Sequence, residues 1–184
     1  DPLAKNVGIE RRKPLLAIGV TGIALSMFLL AYGFNAASYT LTDASISKLP
    51  KEINIEQLVA IKDKTFNSDT EFKKAVLETI GPDMSKKYES AFITAAISMN
   101  PTLILIGILA FVAAFAVSLG PVMWVLFSEL FPNKIRGIAI SFVGFVNSAV
   151  SFLVQLIFPW ELATLGSTLT FLLYGIFAVV GLIF

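Results

Sequence analysis

Cysteine and histidine are both missing from the 184 residues. Without cysteine there are no disulfides, thiolate metal sites or thiol nucleophiles. Without histidine there are no imidazole ligands, no His-activated serine and no imidazole proton relay. A glycine-rich phosphate loop of P-loop spacing is absent too. Charge is scarce, at 15% of residues with a formal net charge of +1. The acidic residues lie mainly between positions 35 and 100, where nothing implies an apolar pocket of the kind that retunes a catalytic carboxyl. These absences predict no enzyme activity, no cofactor, no metal and no nucleic acid partner.

What the chain has in excess is apolar surface: 56% of residues are hydrophobic and 16 are Phe, well beyond an ordinary soluble domain. No charge falls between Pro14 and Thr42, between Ser90 and Ser128, between Gly137 and Trp160, or between Leu162 and Phe184. A helix needs roughly 20 predominantly apolar residues to cross the hydrocarbon core, so these gaps predict four spans, at 14–34, 101–127, 138–158 and 168–184. The last reaches Phe184 without a flanking charge and the chain opens on Asp1, which predicts a piece of a longer protein with the fourth span truncated. The first span does not fit a signal peptide, whose apolar core is short and followed by a small-residue cleavage site.

Lys and Arg in the short connections set the orientation. Lys5, Arg11, Arg12 and Lys13 precede the first span, Lys134 and Arg136 lie between the second and third, and the link between the third and fourth has Glu161 and no base. The basic links therefore face the cytoplasm: a loop at 1–13 and a second at 128–137. The 35–100 connection and the short 159–167 loop face the other side, since long loops cross largely regardless of charge. Within 35–100, Ser68 and Glu71 have capping-box spacing ahead of Phe72, Val76 and Ile80, and Gly81-Pro82 ends that helix. Leu49-Pro50 and the stretch from Ile53 to Val59 predict a turn and another short element, and Asp83 opens a further helix through Tyr88 and Phe92. The mixed charges of this insert predict a solvated surface.

Two features inside the spans point to chemistry. In the third, Gly144, Asn147, Ser148, Ser151 and Gln155 recur at three- and four-residue intervals and form a polar stripe on one side of a helix. Such a stripe serves either close helix packing or a polar solute, for which an amide that both donates and accepts is well suited. In the second, Gly120-Pro121 weakens the helical ladder and permits a bend. Trp124 lies one turn on; its indole can anchor a helix at the interface or offer a flat apolar face and one N–H to a sugar.

The run GPVMWVLFSELFPNKIRG, Gly120 to Gly137, resembles the sugar porter family of the major facilitator superfamily, including bacterial xylose/proton symporters and facilitative glucose transporters. In that family the same Gly-Pro, Trp, Ser-Glu, Phe-Pro and Ile-Arg-Gly positions recur at the end of helix ten and in the loop after it. The resemblance implies that the four spans are helices nine to twelve of a polytopic, all-α transmembrane bundle, carrying a partly helical extracytoplasmic insert. It implies a sugar site at Gly120, Trp124 and Asn147, with Ser148 and Ser151 beside it; Ser148 stands where many members have Trp. It also implies a cytoplasmic charge gate of Glu129 and Arg136 with Arg11 and Arg12. Before the first span the chain departs from the family's pattern, with Gly8 at the acid's place and Arg11 at the glycine's.

The expected partners are a monosaccharide, the bilayer, the remaining helices of the transporter and, in symporting members, a proton. The expected location is a bacterial inner membrane. Two other functions use the same residues differently. A non-transporting sugar sensor would bind solute without flux, which counterflow in vesicles detects. A membrane-anchored protein working through the 35–100 insert would bind a partner through that insert alone.

Overall fold

The computed structural model describes residues 2–50 and 52–183, with side chains described from Pro14 onward except at Lys51 and Pro121. Four of its helices are long and apolar enough to cross a membrane: Pro14–Asn35, the bent pair Pro101–Leu130, Arg136–Thr164 and Gly166–Ile183. The fold is an all-α polytopic bundle, and between its first two spans sits a small folded insert.

Helix α1 runs from Pro2 to Asn35 and carries Pro14 inside it. The stretch expected as a loop at 1–13 is thus helical from Pro2. Its Lys, Arg and Glu residues are good helix formers, and Pro14 removes a single backbone donor. The side chains of Arg11 and Arg12 lie outside the described ones. In the insert come β1 (Ser38–Thr40), α2 (Asp43–Ile46), α3 (Ile55–Leu58), β2 (Thr65–Phe66), α4 (Asp69–Ile80), α5 (Pro82–Lys87), α6 (Glu89–Ala96) and β3 (Ile97–Ser98). The spans resume with α7 (Pro101–Val117), α8 (Leu119–Leu130), α9 (Arg136–Thr164) and α10 (Gly166–Ile183).

The insert has its own core. Tyr39, Leu41, Ile46, Leu49, Ile53, Leu58, Ile61, Phe72, Val76 and Phe92 are buried together, so its mixed charges clothe a folded unit. Three strands in the order β2-β1-β3 form an antiparallel sheet that the sequence pattern does not predict. Because Ser38 pairs with Ser98, the end of α1 and the start of α7 are held side by side at the insert's base. The expected cap is present, the Glu71 amide donating to Ser68 Oγ at 3.1 Å, and Asn100 adds a cap at α7, its Oδ1 accepting from the amides of Thr102 and Leu103 at 3.1 and 3.3 Å. The helix expected to run on from Asp83 is instead two, α5 and α6, parted at Tyr88.

At the centre of the sheet Tyr39 is 2% exposed and stacks on Phe72 with ring centroids 5.7 Å apart. Burial pushes its phenol up to about 12, and the Asp69 charge adds to the shift. Since the folded value lies above the unfolded one, stability is intact below pH 10. It falls as pH rises toward 12, where only the unfolded chain ionises freely. The expected loss is about 2 to 3 kcal/mol over that window. Alkaline titration of the insert's near-UV circular dichroism should show it, and Tyr39→Phe should remove that part of the pH dependence.

Among the spans, α1 packs along both α10 and α7 through small residues that let backbones approach. A Cβ on Gly22 would lie 2.9 Å from the Ala114 Cβ, and one on Gly175 would lie 2.9 Å from Phe28 Cε1. Phe34 and Phe171 stack nearly parallel between α1 and α10, centroids 5.3 Å apart. Helix α9 stands apart, with none of its residues buried.

Candidate functional site

The second span bends at Ser118, which has φ −118° and ψ −82° and separates α7 from α8. The sequence places the disturbance at Gly120-Pro121, and the structure moves it upstream. Proline at 121 has no N–H to offer the carbonyl of Val117, four residues back. So α7 ends at Val117, and Pro121 falls in the first turn of α8, where a missing donor costs little. Ser118 is fully buried, and its hydroxyl donates to the Ala114 carbonyl at 2.8 Å.

Downstream of the bend, α8 carries Gly120 and, one turn on, Trp124. Gly120 packs near Phe115, whose carbonyl would lie 3.4 Å from a Cβ there. The Trp124 indole is 46% exposed and meets Phe127 edge to face at 6.2 Å. Its Cη2 would lie 3.9 Å from a Cβ on Gly144 of α9. The indole therefore reaches the helix that carries the polar stripe, at the stripe's first residue. Asn147, Ser148, Ser151 and Gln155 follow along α9, all exposed.

Many hydroxyls of the spans are closed on their own helix, though among the described residues Thr102, Ser141 and Thr168 are not. Thr21, Ser26, Ser118, Thr164 and Thr170 each donate to the carbonyl four residues back, at 2.7, 2.7, 2.8, 2.8 and 2.8 Å. That bond is how a hydroxyl is satisfied within its own apolar helix. Among the described residues, Ser148 and Ser151 make no such bond, and the Asn147 and Gln155 amides have no hydrogen-bond partner. Their hydrogen-bonding capacity faces outward from α9, available to a solute, to water or to another helix.

At the other end of α8, Glu129 is partly buried in the last turn. Arg136 is the first residue of α9, and its Nε donates to the Phe131 carbonyl, the C-cap of α8, at 3.4 Å. The two expected gate residues thus flank one tight corner, with Phe131-Pro132 between them. Arg136 braces that corner from the α9 side.

The third span also runs further than expected. Helix α9 continues through Pro159 to Thr164, so the loop predicted at 159–167 narrows to Leu165 and the turn into α10. Gly166 makes that turn with φ +78°, a left-handed conformation that glycine adopts without strain. Tyr174 of α10 donates to Glu161 Oε2 at 3.0 Å, tying the two helices just inside the corner. Sequence reasoning missed one further polar group here. Asp69, in the first turn of α4, accepts from the Ser167 amide at 3.0 Å and from the Ser167 hydroxyl at 2.9 Å. Nothing local could have signalled a pair 98 positions apart.

Comparison with known proteins gives a consistent family. The profile described as "Sugar (and other) transporter" matches residues 85–184, more than half of the chain. The chain is 27% identical over 191 aligned positions to the solute carrier family 2, facilitated glucose transporter member 10 of Xenopus tropicalis. That alignment covers 92% of this chain and 34% of the relative. It is 43% identical over 88 positions to the sugar transporter ERD6-like 16 of Arabidopsis thaliana, covering 46% of this chain and 17% of that one. Over 71 positions it is 39% identical to a D-xylose transporter of Levilactobacillus brevis, covering 39% of this chain and 16% of that one. The chain spans about a third of the length of the Xenopus relative. No solved structure matches.

Proposed function

Because the chain belongs to the sugar (and other) transporter family, the sugar porters of the major facilitator superfamily, we propose that it works as helices nine to twelve of a carrier moving a monosaccharide by alternating access. The solute site is built from Gly120 and Trp124 on the bent second span and from Asn147, Ser148 and Ser151 on α9. The observation that carries this reading is the uncommitted polar stripe of α9, with the Trp124 indole reaching its first residue, Gly144. Elsewhere in the spans, six hydroxyls are closed on their own helix.

In this reading the indole stacks on the apolar face of the ring while Asn147 exchanges two hydrogen bonds with neighbouring hydroxyls. The seryl groups complete a polar wall near the membrane midplane, where carriers of this kind place their sites. The bend at Ser118 lets the Trp124 end of the span shift against α9 as the site opens to one side or the other. The corner at Glu129 and Arg136 lies on the cytoplasmic side, and the insert on the other.

Trp124→Ala in the complete transporter should lower sugar affinity by about 1 to 2 kcal/mol, roughly 5- to 30-fold, while the protein still inserts and folds. Trp124→Phe should recover the part due to stacking and not the part due to the N–H. Equilibrium binding of labelled sugar to purified variants measures both. Unchanged affinity in Trp124→Ala would make the indole an interfacial anchor and remove it from the site.

A further inference from the structure

The insert does not hang from the spans by its two ends alone. Its ends are closed by the Ser38 and Ser98 pairing, and α4 makes a second attachment. The carboxylate of Asp69, only 8% exposed, spans the gap between α4 and the α9–α10 corner. Oδ2 accepts from both the amide and the hydroxyl of Ser167, and Oδ1 accepts from the Thr70 amide at 2.9 Å. The Ser167 amide belongs to the first turn of α10, where helix donors have no partner of their own. A carboxylate there also meets the positive end of the helix dipole.

The corner is shaped to receive it. A Cβ on Gly166 would lie 2.5 Å from Asp69 Oδ1 and 3.0 Å from Thr70 Cγ2, so glycine is needed for the approach as well as for the positive φ. The corner is fixed in turn to its own helices. Tyr174 bonds Glu161 across α9 and α10, its ring meets Phe158 edge to face at 6.0 Å, and α10 packs along α1.

We propose that Asp69 is a positioning residue that docks the insert onto the α9–α10 corner, so that the insert, α1, α10 and the adjoining end of α9 form one body. The insert is then a brace for the helix bearing the polar stripe, and it keeps its place against α10 while the carrier changes state. The statement about the docked geometry stands on the contacts alone. The statement about the cycle rests on the transport reading.

Two measurements separate them. In the complete transporter, Asp69→Ala should speed hydrogen exchange at the Ser167 amide by roughly tenfold or more, because that donor loses its acceptor. Amides in the core of α4, such as Phe72, should keep their protection. Ser167→Ala, which leaves the insert untouched, should give a smaller acceleration across the first turn of α10. Ser167 protection unchanged in both variants would overturn the docking, and Ser167→Ala decides alone if Asp69→Ala unfolds the insert. Cysteines at 69 and 167 can then be joined by oxidation, in a chain with no cysteine of its own. Sugar uptake within about twofold of the reduced form supports a single moving body. A block that dithiothreitol reverses would show that the insert must part from α10 and would overturn that claim. If the reduced and parent proteins both fail to take up sugar, the transport reading falls, and with it the claim about the cycle, while the exchange result still decides the docking.

Discussion

Gly19→Ala is expected to abolish the packed bundle, although it adds one methyl group to an apolar helix. On α1 that methyl would sit 1.6 Å from Ser118 Oγ and 2.1 Å from Ser118 Cβ. Neither atom can yield easily: Ser118 is fully buried, its hydroxyl is bonded to Ala114, and it stands at the break between α7 and α8. Overpacking in a tight core costs about 1 to 3 kcal/mol or more, and a contact this short belongs at the upper end. The outcome is a large fall in monodisperse protein on size-exclusion chromatography and no measurable uptake. Gly181→Ala, where a Cβ meets nothing within 4 Å, should be silent. The double variant Gly19→Ala with Ser118→Gly should regain much of the yield, because it removes the colliding Cβ and hydroxyl together. A fully stable Gly19→Ala single variant would mean that α1 does not cross the bend as closely as the structure has it.

That contact could not be read from the sequence, while the spans it joins could. The spans announce themselves through long uncharged gaps, because lipid offers no partner for a charge or an open backbone group. Their ends are less legible. Proline normally stops a helix in water, yet Pro14 and Pro159 both sit inside one, a placement membrane helices tolerate when neighbours re-satisfy the freed groups. The Ser68 cap is local chemistry and readable. The sheet was not, since its strands are two or three residues long and owe their pairing to the core around Tyr39 and Phe72.

The candidate site divides in the same way. The stripe on α9 is periodic and therefore visible in one dimension, as is the Gly-Pro disturbance ahead of Trp124. Which side of α8 meets α9, and at which residue, is tertiary: the approach of Trp124 to Gly144 depends on a bend that falls at Ser118. Asp69 looked like an ordinary acidic residue in a first helical turn, a favourable place for it on local grounds alone. Its second role needs the α9–α10 corner in space.

On the proposed transport reading, neutralising the α8–α9 corner should stop net transport while leaving sugar binding in place. Glu129 and Arg136 lie at the α8–α9 junction, away from the stripe, and Arg136 already bonds the Phe131 carbonyl that closes α8. A charge pair at such a seam can hold one state closed and part in another, and breaking a partly buried pair costs several kcal/mol, on the order of 3 to 5, when no new partner forms. A bias of that size moves a balanced two-state carrier almost wholly to one side. Glu129→Gln and Arg136→Ala should therefore cut net uptake by about tenfold or more and shift the protein toward the inward-open state. Sugar affinity should change far less. The checks are uptake, binding, and alkylation of a cysteine placed at Asn133, with any thiol outside these 184 residues first removed. Arg136→Lys separates the two parts of the arginine's work: it keeps the charge but loses the fork that braces Phe131, so it should retain more uptake than Arg136→Ala. Normal uptake with unaltered labelling in both neutral variants would reduce these side chains to headgroup contacts, and the gate would have to lie elsewhere.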